Sequence, residues 1–378
     1  MVKIIIVCGA RPNFMKVAPI LSCLRRERAV SSLLVHTGQH YDQRMSELFF
    51  RELGLPKPDV NLEVGSGSHA VQTAEVMKRF EPVCIEHRPD WVLVVGDVNS
   101  TLACALVASK LGIRVAHVES GLRSFDRAMP EETNRLLTDA LSDLLFVSEP
   151  SGVTNLRKEG IAGKKVRLVG NVMADTLLQH RSQADQSQIL RLLGIRPRQY
   201  AVVTLHRPAN VDRADVVEEL LGALDAISEQ LAVVFPAHPR TRKNFEALGF
   251  GERIRKQERI RFVEPLGYLD FLKLTADSAL VLTDSGGIQE ETTILGVPCL
   301  TLRANTERPI TVEQGTNQLV GTSAKSILPA YHRIRRDPPK GRVPDLWDGR
   351  TAERIVEILL GESLSRSPDV AELVGTAG

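Results

Sequence analysis

The chain has no dominant charge: 48 Lys and Arg stand against 46 Asp and Glu over 378 residues, a formal net charge of +2. That removes the long-range electrostatic case for a nucleic-acid or membrane-surface partner, so the charge on any ligand must be met by local basic groups. No apolar run approaches the roughly 20 residues that cross a bilayer. The opening run Lys3–Cys8 is too short for a signal-peptide core and leads straight into the polar turn Gly9–Asn13. A soluble, cytoplasmic protein is therefore expected. The five cysteines form no CxxC pair, and Cys8, Cys84, Cys104 and Cys299 lie inside apolar runs, which reads as reduced core thiols with no metal site. The sequence contains neither GxGxxG nor GxxxxGK followed by Ser or Thr. A nucleotide held in the usual dinucleotide or P-loop manner is thereby unsupported.

What the sequence does have is a steady alternation of short, continuous apolar runs with helical patterns. Lys3–Val7 reads as a strand, followed by a helix from about Met15 to Arg26, a strand at Ser32–Thr37, helices near Met45–Leu53 and Ala70–His87, and a strand at Trp91–Val95. Helix, strand, helix and strand follow at Thr101–Leu111, Arg114–Val118, Thr133–Ser142 and Leu144–Val147. Continuous rather than alternating apolar strands belong to a parallel sheet covered on both faces. The pattern weakens after Val166–Asn171 into the glutamine-rich segment Gln179–Gln188 and restarts at Tyr200–Thr204. Further elements follow, ending in an amphipathic helix at Thr351–Leu360. The expectation is an α/β chain of two Rossmann-like doubly wound domains, residues 1–171 and 172–378, with the terminal helix packing back on the first. Such domains bind ligand at the carboxyl ends of their strands, so a cleft between them is the place to look.

The polar clusters fall at those strand ends. Thr283–Glu291 joins the apolar run Ser278–Leu282 to a helix. Ser285, Gly286 and Gly287 would sit at the helix N-terminus, where free N–H groups and the positive end of the dipole suit a phosphate. Glu291, about a turn further on, could accept hydrogen bonds from sugar hydroxyls. The plainer possibility is a Gly-Gly turn whose serine merely caps the helix. Arg11 and Lys16, on the turn and first helical turn after the first strand, could reach a diphosphate from the opposite domain, or could be two solvated cations. Asp97, Glu119 and Glu131 follow successive strands. Each taken singly reads equally as a helix-capping or a catalytic carboxylate; together in one pocket they would repel, raising at least one pKa and leaving acid and base forms for proton transfer. His206 follows the first strand of the second half, His238 and Arg240 follow another, and Arg308 is a second candidate charge for the phosphates.

In this order GARPNFMK, TGQHYD, GDVNST, HVESGLR, MPEETNR, LHRPAN, PAHPR, TDSGGIQEE and NTERP resemble the non-hydrolysing UDP-N-acetylglucosamine 2-epimerases, over roughly Lys3 to Thr322. The resemblance implies glycosyltransferase-B-type architecture, UDP in the cleft, no metal, nicotinamide or other cofactor, and a homodimer formed through the first domain. It implies interconversion of UDP-GlcNAc and UDP-ManNAc by anti elimination of UDP to 2-acetamidoglucal and re-addition. Asp97, Glu119, Glu131 and His206 would then serve proton transfer around C2. Arg11, Lys16, His238, Ser285, Gly286, Gly287, Glu291 and Arg308 would hold the UDP-sugar, with Phe271 against the uracil. The sequence departs from the family pattern at His206–Asn210, at Ser120 and at Gln39–Met45. The last of these also resembles relatives acting on UDP-2,3-diacetamido-glucuronate. A glycosyltransferase would share the fold, the glycine loop and the nucleotide site but would need only one base. A hydrolysing epimerase, releasing free ManNAc, is a closer rival.

Overall fold

The computed structural model describes residues 1–9, 11–38 and 43–364, with only the backbone of residues 11, 12, 43–46 and 364. Thirteen strands form two sheets among these residues. The first comprises β1 (Val2–Cys8), β2 (Val30–His36), β3 (Val60–Asn61), β4 (Trp91–Val95), β5 (Arg114–Ser120), β6 (Leu144–Val147) and β7 (Val166–Leu168), in the spatial order β3-β2-β1-β4-β5-β6-β7. The second comprises β8 (Tyr200–Thr204), β9 (Ala232–Pro236), β10 (Ile260–Val263), β11 (Leu280–Thr283), β12 (Cys299–Thr301) and β13 (Asn317–Leu319), in the order β10-β9-β8-β11-β12-β13. Every pairing is parallel. Counted within each sheet, the order runs outward from the first strand and then reverses beside it, the doubly wound arrangement.

The apolar runs show why. On β1, Ile4, Ile6 and Cys8 enter one core and Ile5 and Val7 enter the other. On β8, Ala201 and Val203 face one core while Tyr200 and Val202 face the opposite one. Because side chains alternate across the sheet and both faces are buried, no polar residue interrupts the run. The helix Thr351–Leu364 sends Ala352, Ile355, Val356 and Leu359 into the first sheet's core, with Tyr268 and Leu272 from the second half alongside. The helix Val172–Ala184 packs against the helices Arg11–Arg26, Tyr268–Ala276, Gly286–Leu295 and Thr351–Leu364, and so lies between the two sheets.

The strand order reverses between β1 and β4 in one sheet and between β8 and β11 in the other. At the first reversal, Asn13 accepts the Gly9 N–H at 3.2 Å and donates to the Val95 carbonyl at 2.9 Å, tying the ends of β1 and β4 together. Among the described residues no helix is long and apolar enough to cross a membrane.

Candidate active site

On the first-sheet side, Gly96 turns the chain directly after β4 with φ of 71°. A side chain there would come within 3.4–3.6 Å of Lys16 Nζ, Asn13 and Glu119 Oε2, so the turn leaves room for the groups that converge on it. Asp97 follows, partly exposed, and its carboxylate pairs with Arg135 of the helix Pro130–Leu141. Glu119, expected just beyond a strand ending at Val118, instead lies within β5 at a register shift between Val118 and Ser120, with φ of 71°. A non-glycine residue held there costs about 1–3 kcal/mol and persists only where its surroundings determine it. The irregularity turns the carboxylate toward Lys16, with which it forms a buried ion pair.

Glu131 and Glu132 both occupy the first turn of their helix, and the structure separates them. Glu132 is buried and accepts the N–H groups of Ser124 and Phe125 at 3.0 and 2.9 Å while pairing with Arg135, a loop-fixing role. Glu131 is half exposed and makes no hydrogen bond or ion pair among the described residues; Arg207, from the second half, lies within its electrostatic reach. The side chain of Arg11 and the segment Gln39–Asp42 lie outside the described residues.

On the second-sheet side, Ser285 occupies the N-cap position of the helix Gly286–Leu295. Its side chain makes no capping hydrogen bond, so helix capping does not account for it. Ser285, Gly286 and Gly287 are all partly open. Gly286 lies against the Arg308 guanidinium, leaving no space for a side chain unless Arg308 moves. His206 projects from the end of β8 with its side chain about half exposed, and its Nδ1 lies 2.8 Å from Asp284 Oδ1. Asp284 is fully buried after β11 and also accepts the N–H groups of His206 and Arg207 at 3.0 and 2.9 Å. His238 caps the helix Pro239–Ala247, Nδ1 accepting the Arg240 N–H at 3.2 Å, and Phe271 packs half buried on the small core that includes Val202 and Val281.

Across the cleft, Arg308 joins the halves. Its guanidinium pairs with Glu119 of the first sheet, with Glu290 at 2.6 Å and with Glu307 at 3.6 Å. Lys16, Glu119, Glu290 and Arg308 are each under a tenth exposed. The expected mutual repulsion of strand-end carboxylates is corrected at Glu119. Burial would raise that carboxyl, but Lys16 and Arg308 hold it below the usual range. Burial does raise Glu290, against the pull of Arg308. It pushes Glu291, with Glu290 beside it, up to about 8. One oxygen each of Glu290 and Glu291 has no hydrogen-bond partner among the described residues.

Glu290, Asp284 and Arg135 belong to this arrangement and were not singled out from the sequence. Asp284 carried the same signal as Asp97, an acid directly after an apolar strand. Glu290 stands beside Glu291 in the acidic end of its motif, but its partner Arg308, like the Asp97 partner of Arg135, lies in a separate motif.

Two parallel doubly wound sheets with an ionic cleft at their strand ends define the glycosyltransferase-B-type class. The family model for UDP-N-acetylglucosamine 2-epimerase matches residues 22–360. The chain belongs to the UDP-N-acetylglucosamine 2-epimerase family. It is 41% identical over 367 residues to a UDP-N-acetylglucosamine 2-epimerase of Methanococcus maripaludis, covering 96% of this chain and 99% of that one. The crystal structure of the Methanocaldococcus jannaschii UDP-GlcNAc 2-epimerase in complex with UDP-GlcNAc and UDP is similar with a TM-score of 0.89 and 42% identity, covering 95% of this chain and 99% of that one. A UDP-2,3-diacetamido-2,3-dideoxy-D-glucuronate 2-epimerase of Pseudomonas aeruginosa is 42% identical over 330 residues, 86% of this chain and 90% of that one.

Proposed function

We propose that the chain epimerises a UDP-N-acetylhexosamine at C2, interconverting UDP-GlcNAc and UDP-ManNAc. The observation that carries this reading is the meeting, across one cleft, of the acidic strand ends of the first sheet with the open helix N-terminus and Arg308 of the second. Ser285, Gly286 and Gly287 hold the diphosphate through backbone N–H groups, aided by Arg11 and by Lys16 and Arg308, and these last two take the diphosphate in exchange for their present carboxylates. Glu291 meets ribose hydroxyls, Phe271 lies against the base, and His238 completes the nucleotide-sugar contacts.

Asp97, Glu119, Glu131 and His206 surround the sugar. A carboxylate takes the C2 proton, the C1–O bond breaks with its electron pair leaving on the diphosphate, and a C1–C2 double bond forms. Reprotonation of C2 from the other face and return of the diphosphate oxygen to C1 give the epimer. Holding UDP on the helix N-terminus keeps it available for re-addition, and a cleft closed to water protects the intermediate. The similarity to the Pseudomonas enzyme supports a second reading with the same chemistry on UDP-2,3-diacetamido-glucuronate. A homodimer formed through the first sheet's helices is part of the same proposal.

Turnover in D2O followed by NMR tests the reaction. Deuterium at C2 of product and recovered substrate, with the UDP-sugar preserved, is expected. Turnover without C2 deuterium excludes elimination, accumulation of UDP and free ManNAc marks a hydrolase, and exchange confined to the diacetamido-uronate selects the second reading.

A further inference from the structure

His117 lies on β5, two residues before Glu119, and is wholly buried. Its Nδ1 is 2.7 Å from Asp139 Oδ1, and its Nε2 is 2.8 Å from the carbonyl oxygen of Gly96. Both neighbours are acceptors. The carbonyl has no proton to give. Asp139 is committed as an anion, since its other oxygen accepts the Gly121 N–H at 3.0 Å and pairs with Arg123 at 2.6 Å. Burial would raise the Asp139 carboxyl, but His117 and Arg123 hold it below its ordinary range. A neutral imidazole carries one N–H and one lone pair, so either neutral tautomer would set a lone pair against an oxygen at hydrogen-bonding distance. A ring bearing both N–H groups satisfies both contacts.

We propose that His117 is a buried imidazolium acting as a positioning residue, holding the turn before Asp97 through Gly96 and the turn after Glu119 through Asp139. The two turns it joins are backbone irregularities: Gly96, Glu119 and Gly121 have φ of 71°, 71° and 78°. The β4–β5 ladder and the bond from the Gly96 N–H to the Val118 carbonyl at 3.0 Å hold the strands in register, and the ring adds a rigid side-chain tie between the two turns beyond them. The charged groups around the ring are Asp139 from the helix Pro130–Leu141, Arg123 from the loop after β5 and Glu119 from its own strand. Arg123 is paired in turn with Glu159, so the cluster is balanced before Glu119 is counted. The ring's charge then adds to those of Lys16 and Arg308 in keeping Glu119 ionised.

The rate arm of the test rests on the epimerase reading; the spectroscopic arm does not. In folded wild-type protein with 15N-labelled histidine, both ring nitrogens of His117 should carry protons, one for each acceptor. The resonances are assigned by their loss in His117→Gln. A single ring N–H overturns the proposal whatever the enzyme's substrate. In His117→Gln and Asp139→Asn, turnover should fall about tenfold to a hundredfold, the scale of a roughly 1 Å displacement of a reacting group. UDP affinity should stay near wild type, and the acid limb of the rate profile should move to higher pH in His117→Gln. Wild-type turnover in a folded variant, or equal loss of turnover and UDP affinity, counts against a positioning role.

Discussion

Arg308 spends its guanidinium on three carboxylates from two halves of the molecule. A diphosphate that took their place would make charge-assisted hydrogen bonds, so Arg308→Ala should weaken UDP by about 1.5–3 kcal/mol. Calorimetry with UDP alone measures this, and unchanged affinity would remove Arg308 from the site. The carboxylates should act on rate instead. Asp97→Asn and Glu131→Gln are each expected to lose at least about a hundredfold in turnover while UDP still binds. Near-normal turnover would leave Asp97 only its pairing with Arg135, and Glu131 only its place in a helical first turn. At this scale the sequence is legible where a charged residue directly follows an apolar strand, as at Asp97 and His206. It is silent on charge state, since Glu119 meets Lys16 and Arg308 from 103 and 189 residues away.

Several helices take their caps from remote carboxylates. Glu52, on the helix Gln43–Glu52, accepts the Tyr268 N–H at 2.6 Å and the Leu269 N–H at 3.3 Å, at the start of the helix that carries Phe271. Asp175 accepts the N–H groups of Thr351 and Ala352 at 3.1 and 2.7 Å, and Glu219 accepts that of Ala324 at 2.8 Å. Losing such a cap costs about 0.5–2 kcal/mol. Glu52→Ala should lower stability by that amount in urea unfolding, and because the helix bears Phe271, UDP affinity should fall with it. A variant as stable as wild type would make the contact incidental. These caps explain which elements the sequence hid. The helix Val172–Ala184 reads as a weak polar stretch because it buries Asp175 and Thr176 among its apolar residues. Strands buried on both faces stand out because that burial forbids interruption, whereas β3 has only two residues and the three of β13, Asn317–Leu319, are mainly polar.

For the molecule as a whole, acid and base limits should reflect carboxyls buried between the sheets. Burial pushes the Glu149 carboxyl, after β6, from an ordinary 4.5 up to about 7. The folded chain keeps that proton while the unfolded chain releases it. Stability from this group is therefore full below about 4.5 and is lost as pH rises to about 7. A shift of this size corresponds to roughly 3 kcal/mol. Glu149→Gln should flatten the fall in urea-unfolding free energy across that window, and an unchanged slope would assign it to other groups. The two-sheet architecture is legible because the strand-then-helix rhythm stops and restarts. The locks between halves are not, since each joins residues from separate motifs.

Only two tryptophans occur in the chain, and both indoles are tied to its closing segment. Trp91, on β4, donates to Ser363 Oγ at 2.9 Å, and Trp347 donates to the Ser148 carbonyl at 3.1 Å. Each bond joins the segment after residue 346 to the first sheet. Intrinsic fluorescence is therefore a built-in reporter of that segment's docking: a red shift of both emitters marks its release.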